Sequence, residues 1–172
     1  VMTLIKSARP TDVEALLALP MANGSLKENL DNLSGTIGEK MEIRRYGHLQ
    51  GASLAAYSHL GGKLGVLVSL DQPNQGELAM EIALQVAAAN PKYLTPDEVS
   101  SEEMAREKDI YREQLLKEGK PEAMLEKILE GKSGKYYGEV CLLEQECIKD
   151  DKKKVKDTLG GAKVLGFLRF AL

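Results

Sequence analysis

One segment, residues 77–90, limits the folds open to this chain more than any other part of its sequence. Its polar positions Glu77, Glu81 and Gln85 fall four residues apart, and nearly every other position is Leu, Ala, Met, Ile or Val. A helix with a single narrow polar stripe is covered by protein on most of its sides. The helix ends before Pro91, because the residue that precedes a proline disfavours helical backbone angles. The segment therefore predicts a buried helix whose small residues let a sheet approach closely.

Four other segments have the composition of strands and supply the sheet for this helix. The apolar residues change to a shorter period after Gly38. The pair Gly61 and Gly62 suits a tight hairpin that requires positive φ. Strands are predicted, in chain order, at residues 41–49, 53–57, 64–70 and 163–172.

Capping residues and periodic leucines predict the remaining helices. Thr11 or Asp12 is a candidate N-cap for a short helix, and Ser25 is one for a longer helix. The longer helix has apolar residues at the spacing of a one-sided stripe, which means that it packs on another element. Besides these, helices are predicted at residues 1–8, 26–37 and 152–159.

A charged segment at residues 101–136 predicts a helical hairpin. Between residues 97 and 130 the chain has eleven acidic and six basic residues, and its apolar residues form only a narrow seam. Residues 119–122 (GKPE) separate two helical stretches, and Pro121 suits the first turn of the second. The predicted fold class is therefore α+β: a small antiparallel sheet packed with helices, plus a protruding antiparallel two-helix coiled-coil hairpin.

Composition excludes several classes of function. The 172 residues correspond to one domain or two very small ones. The net charge of −3 gives no general attraction to nucleic acid or to an anionic membrane surface. The longest apolar stretches fall short of the ~20 residues that cross a bilayer. We therefore expect a protein or small-ligand partner, with no direct nucleic-acid contact and no membrane segment.

Residues that carry catalysis or bind metals are scarce. Cys141 and Cys147 have no histidine nearby to complete a zinc shell, so we expect reduced thiols and neither metal nor cofactor. His48 and His59 lie on neighbouring predicted strands, too far apart to share a metal. His59 would sit near Glu42, which keeps open an enzyme that uses these two side chains. Otherwise the residues favour a binding protein without a catalytic site.

Several segments, in order and at matching spacing, closely resemble the core of the bacterial-type elongation factor Ts family. They cover nearly everything from residue 37 onward, and together they are far more specific than any single motif. The segments are 37–45 (IGEKMEIRR), 64–68 (LGVLV), 82–94 (IALQVAAANPKYL), 118–122 (EGKPE), 129–132 (LEGK), 142–145 (LLEQ) and 166–170 (GFLRF).

The resemblance implies a guanine-nucleotide exchange factor for elongation factor Tu, a function that needs no bond chemistry and no cofactor. It implies a core of two related subdomains, with residues 1–49 a remnant of the N-terminal one, made of helices and one strand. Residues 50–172 would be the C-terminal one, with the hairpin at about 100–138. By position, the residues that resemble contacts to Tu are Ile37, Gly38, His59, Ile148 and Lys149.

Two departures from the family pattern bear on these expectations. The family's Thr-Asp-Phe segment would stand just before Val1, so we expect this sequence to be the core, or dimerisation, portion of such a factor. Where relatives often have Pro-Phe, this chain has Glu146 and Cys147. The alternative function is a self-association module that forms a homodimer without exchange activity of its own. The expected location is the bacterial cytoplasm, with an organellar matrix or stroma left open.

Overall fold

Capping side chains begin the second and third helices of the chain, at the residues whose types predict them. The computed structural model describes residues 1–172, which divide into two units, Val1–His48 and Leu49–Leu172. In the first unit the Asp12 carboxylate accepts a hydrogen bond from the Ala15 amide at 2.8 Å. The elements of this unit are α1 (Met2–Ala8), α2 (Val13–Leu17), β1 (Pro20–Met21), β2 (Gly24–Ser25) and α3 (Leu26–Ile37).

A capping box begins α3, the longest helix of the first unit. The Ser25 hydroxyl accepts from the Glu28 amide, and the Glu28 carboxylate accepts from the Ser25 amide. Such reciprocal bonds satisfy backbone donors that the first helical turn leaves unpaired. The sequence prediction of a helix at residues 26–37 is confirmed.

The strand predicted at residues 41–49 is wrong, because residues 40–51 form no helix or strand. A strand needs a neighbour that satisfies its backbone hydrogen bonds, and none of the seven strands pairs with this segment. Its contacts within the first unit are local instead. The Met41 amide donates to the Ser34 hydroxyl at 2.9 Å, and Lys40 pairs with Glu42 at 3.0 Å.

A three-stranded antiparallel sheet forms the centre of the second unit. Its strands are β3 (Ser53–His59), β4 (Leu64–Leu70) and β7 (Val164–Ala171), in the order β3-β4-β7. The β3–β4 hairpin turns through Gly61 and Gly62, whose φ angles of 66° and 91° favour glycine. The predictions of strands at 53–57, 64–70 and 163–172 are therefore confirmed, with small shifts in their ends.

Helix α4 (Gly76–Ala89) packs on one face of this sheet, as its narrow polar stripe predicts. Most apolar side chains of α4 and β4 are almost fully removed from water, although Leu67 and Met80 are exposed. This burial is the main favourable term in the stability of the unit. The most deeply buried members of this core are Val66, Val68, Leu70, Ala79, Ile82, Ala83, Val86, Leu142 and Val155.

The charged hairpin consists of α5 (Ser101–Lys117) and α6 (Glu122–Val140). The two helices contact each other through a small apolar cluster of their own. The α+β class and a helical hairpin are thus present, while coiled-coil geometry stays a prediction. The cluster comprises Leu115, Leu125 and Leu129, with Tyr111 and Ile128 packed against it.

The Lys-rich helix predicted at residues 152–159 is wrong. Asp150–Lys154 is strand β6, which pairs with the short strand β5 (Glu146–Cys147), and a 3-10 turn follows at Val155–Thr158. The backbone of residues 150–154 bonds to β5 in place of helical bonds, and Val155 and Leu159 after it are both buried in the core. Two lysines of the run 152–159 form ion pairs with a residue that precedes the run: Lys154 and Lys156 both bond the Glu144 carboxylate, at 2.6 and 2.7 Å.

Candidate partner-binding site

Ile37 and Gly38 lie at the end of α3 in the first unit. Ile37 is the last helical residue, and its side chain is 54% exposed. Gly38 follows as the C-cap with φ 80° and ψ 9°, and its amide donates to the Ser34 carbonyl at 2.9 Å. This left-handed position favours glycine, and it ends the helix directly behind an exposed isoleucine. The pair presents an apolar side chain at a rigid helix end.

Ile148 and Lys149 form the loop between β5 and β6 in the second unit. Ile148 is 52% exposed, although its backbone amide donates to the Gln85 side-chain oxygen at 2.8 Å. The Lys149 ammonium bonds Oε1 of Glu81, one turn earlier on α4, at 2.6 Å. We call residues 147–149 the contact loop. Its backbone is tied to a buried helix while its isoleucine side chain faces outward.

Gln85 and Gln145 form a buried amide pair beneath the contact loop. The Gln85 nitrogen donates to the Gln145 side-chain oxygen at 3.3 Å and to the Glu146 carbonyl at 3.1 Å. The Gln145 nitrogen donates to the carbonyls of Ala89 and Glu139, at 3.3 and 3.0 Å. Buried polar groups are costly unless hydrogen-bonded, and here both amides have partners. The pair joins α4, α6 and β5.

His59 is the last residue of β3 and is exposed. Its ring stacks on that of Tyr57, with centroids 5.8 Å apart, and its Nδ1 is hydrogen-bonded to the Tyr57 hydroxyl at 2.9 Å. Within the first unit, the carboxylate of Glu42 pairs with Lys40 and Arg44. His59 and Glu42, the two side chains of the enzyme alternative, therefore each bond to other residues: His59 to Tyr57, and Glu42 to Lys40 and Arg44.

The five predicted contact residues fall into three groups held by different elements. Ile148 and Lys149 lie in the contact loop and both bond to side chains of α4. His59 lies on β3 beside Tyr57, and Ile37 with Gly38 belongs to the first unit. Sequence reasoning did not identify Gln85 and Glu81 as part of this site. The available signal was the polar stripe itself, since a glutamine inside an otherwise apolar helix requires a hydrogen-bond partner.

The space under the contact loop does not suit a small-molecule ligand. The cavity between this loop and α4 measures only about 10 Å³, whereas ligand pockets occupy roughly 300–1,000 Å³. A larger open groove of about 590 Å³ lies beside α6, where Lys135 and Lys154 face Glu139, Glu144 and Glu146. Neither space is lined by a histidine. No group of three or more His, Cys, Asp or Glu side chains is placed to hold a metal ion.

The Glu144 carboxylate fixes β6 and thereby the far side of the contact loop. Hydrogen bonds from Lys154 and then Lys156 lower the pKa of this carboxyl below its ordinary value. Charge-assisted bonds of this kind are shorter and stronger than neutral ones. The loop is therefore bonded to Gln85 on one side and, on the other, continues into β6, whose end is fixed to Glu144 by Lys154 in the strand and by Lys156 in the following turn.

A comparison with protein-family models gives one match that spans the chain. The model described as Elongation factor TS matches residues 1–172. Separately, none of the helices combines the length and the apolar character that a membrane span requires.

Proposed function

Because the chain belongs to the elongation factor Ts family, which acts in translation elongation, we propose that it binds elongation factor Tu and promotes release of GDP. The observation that carries this proposal is the contact loop, where an exposed isoleucine stands on a backbone bonded to a buried helix. Preorganised apolar side chains of this kind are what protein interfaces use, because little entropy is lost when they bind.

The proposed exchange requires no acid, base or nucleophile in this chain. If the protein binds nucleotide-free Tu more tightly than GDP-bound Tu, thermodynamic linkage makes it weaken GDP binding by the same factor. A coupling of ~3 kcal/mol corresponds to roughly 150-fold. Ile37, Gly38, His59, Ile148 and Lys149 would supply the contacts.

We assign residues 1–49 to a remnant of the N-terminal core subdomain and residues 50–172 to the C-terminal core subdomain. Support comes from the small antiparallel sheet, its covering helix and the helical hairpin, all of which lie beyond residue 49. The site of action would be the compartment that contains Tu, which is the bacterial cytoplasm or the matrix or stroma of an organelle.

Stopped-flow release of fluorescent GDP from Tu tests the proposal. We expect saturating protein to accelerate release, and Ile148→Ala to reduce that acceleration. Lys152→Ala, an exposed change three residues beyond the loop, is the matched control. A release rate that stays the same with and without saturating protein contradicts the exchange function.

Self-association is the second candidate, and the position of β3 favours it. This strand stands at the edge of the sheet, and its Leu54 is exposed. Open edges of this kind pair with other chains. Sedimentation of the protein alone and with Tu separates the candidates, since a stable dimer that does not bind Tu supports self-association instead of exchange.

A further inference from the structure

Gln85 is a buried amide in the middle of the most apolar helix of the chain. Its side chain is only 2% exposed, among the fully buried Ile82, Ala83 and Val86. An apolar residue at this position would pack without any need for hydrogen bonds. Burying an amide is tolerated only where its partners repay the lost contacts with water. The hydrogen-bond partners of Gln85 therefore indicate which part of the structure this residue positions.

All the partners of the Gln85 side chain belong to the segment that carries the contact loop. Its oxygen accepts from the Ile148 amide at 2.8 Å, and its nitrogen donates to the Glu146 carbonyl at 3.1 Å. One planar amide thus fixes the backbone on both sides of Cys147. These two bonds determine the position of the exposed Ile148 side chain.

The bond to Gln145 connects this amide to the rest of the unit. Gln145 donates to the Ala89 carbonyl at the end of α4 and to the Glu139 carbonyl on α6. These bonds make Gln145 a brace between the two helices, and Gln85 transmits its position to the loop. Fully satisfied buried networks of this kind rigidify the elements that they join.

We propose that Gln85 is a positioning residue for Tu binding, which acts through the contact loop and does not itself touch Tu. This inference rests on the proposed function. The side chain is buried, so its effect on Tu affinity depends on Ile148 standing in the right place. Glu81 has a lesser role on the same stripe, because it bonds the side chain of Lys149 and not the loop backbone.

Amide hydrogen exchange of the free protein tests the hydrogen bond without any partner. Gln85→Met preserves side-chain length but removes both polar atoms. We expect the Ile148 amide to exchange at least about tenfold faster, as loss of a buried hydrogen bond implies, while the amides of β4 keep their rates. Glu77→Gln, on the same stripe, is the control and should change neither the exchange rate of the Ile148 amide nor the rates of the β4 amides. An unchanged Ile148 rate in Gln85→Met overturns the proposal.

A double-mutant cycle with Tu tests whether Gln85 acts through the loop. We expect Gln85→Met to weaken nucleotide-free Tu binding about tenfold in the wild-type background and less than about threefold beside Ile148→Ala. A purely structural role would give equal losses in both backgrounds and would overturn the proposal.

The same titrations separate the two levels of inference. Wild-type protein that does not bind Tu overturns the proposed function and, with it, the positioning role. Wild-type protein that binds, combined with equal losses in the two backgrounds, overturns only the positioning role.

Discussion

The ammonium of Lys149 lies 2.6 Å from Oε1 of Glu81, and these residues are 68 positions apart in the chain. Both side chains are about half exposed, at 53% and 46%. Exposed ion pairs contribute at most about 1 kcal/mol to stability. The pair is therefore better suited to orient the lysine than to hold the fold together.

Removing this lysine should affect binding more than folding. Lys149→Ala is expected to change the free energy of unfolding by less than about 1 kcal/mol and to weaken Tu binding by roughly fivefold. Urea titration measures the first quantity and calorimetric titration with Tu the second. Lys152→Ala should leave both near wild type, so equal losses of affinity in the two variants would contradict a specific contact.

Gly38 and Gly35 make a matched pair on α3. Gly38→Ala should destabilise the protein by about 1 kcal/mol, because its φ of 80° is unfavourable for residues with a side chain. Gly35→Ala should stabilise it by about 0.5–1 kcal/mol, since Gly35 lies within the helix and no atom stands within 4 Å of an added Cβ. Thermal unfolding monitored by circular dichroism compares the two. A change in stability of the same sign in both variants would contradict the assignment of Gly38 as the C-cap of α3.

His59 should contribute to Tu affinity through its exposed ring. His59→Ala is expected to weaken binding by roughly fivefold with little loss of stability, since the side chain is exposed at the end of β3. Tyr57→Phe keeps the stacked ring but removes the hydroxyl that bonds His59 Nδ1, so it should show an intermediate loss. Full affinity in His59→Ala would remove this residue from the site.

Glu103 and Tyr136 make the base of the hairpin sensitive to extremes of pH. The Glu103 carboxylate accepts hydrogen bonds at 2.5 Å from the hydroxyls of Tyr136 and Tyr93. The bond from Tyr136, then that from Tyr93, lowers the pKa of Glu103 below 4.5. Burial, followed by this bond, raises the pKa of Tyr136 above its ordinary value of 10.0.

The signs of these two shifts predict loss of stability at both ends of the pH scale. The contribution of Glu103 is present above pH 4.5 and disappears as pH falls through its lowered pKa. That of Tyr136 is present below pH 10.0 and decreases as pH rises beyond it. Urea midpoints across pH should decrease in both directions. Tyr136→Phe should flatten the alkaline limb, and an unaltered limb would contradict this assignment.

The two cysteines should differ in reactivity. Cys141 is fully buried, and burial, followed by the nearby Glu144 charge, raises the pKa of its thiol to about 11. The thiolate is the reactive form, so native Cys141 should resist alkylation at pH 8. Cys147 is only partly buried, on the contact loop, and should be alkylated first. Mass mapping after brief maleimide treatment gives the order, and preferential labelling of Cys141 would contradict the described burial.

Sequence alone predicted those elements whose signal is local. The stripe of α4 and the cap at Ser25 are both contained within a few residues, and both helices formed as expected. The strand expected at residues 41–49 depended on a neighbour that no local pattern specifies. The helix expected at residues 152–159 was wrong because residues 150–154 pair with β5, and no pattern within the run specifies that neighbour.

The site was predictable to a lesser degree. Family resemblance supplied Ile148 and Lys149, but nothing local to them indicates which element supports the loop. Their partners lie more than 60 residues away on α4, and only folding brings them together. The sequence shows that Gln85 is a polar residue in a largely apolar helix, but it does not show which residues are its hydrogen-bond partners.

The pairing of β4 with β7 affects how the protein is made. β4 is the central strand, and its neighbour β7 lies far downstream in the chain, with Leu64 opposite Ala171 and Leu70 opposite Val164. Contacts so distant in sequence form slowly, because a long stretch of chain must first be closed into a loop. During synthesis, the backbone groups on one side of β4 therefore have no strand partner until residues 164–171 leave the ribosome. Until then the nascent chain exposes an apolar strand, and this interval is when it is most open to aggregation or chaperone capture.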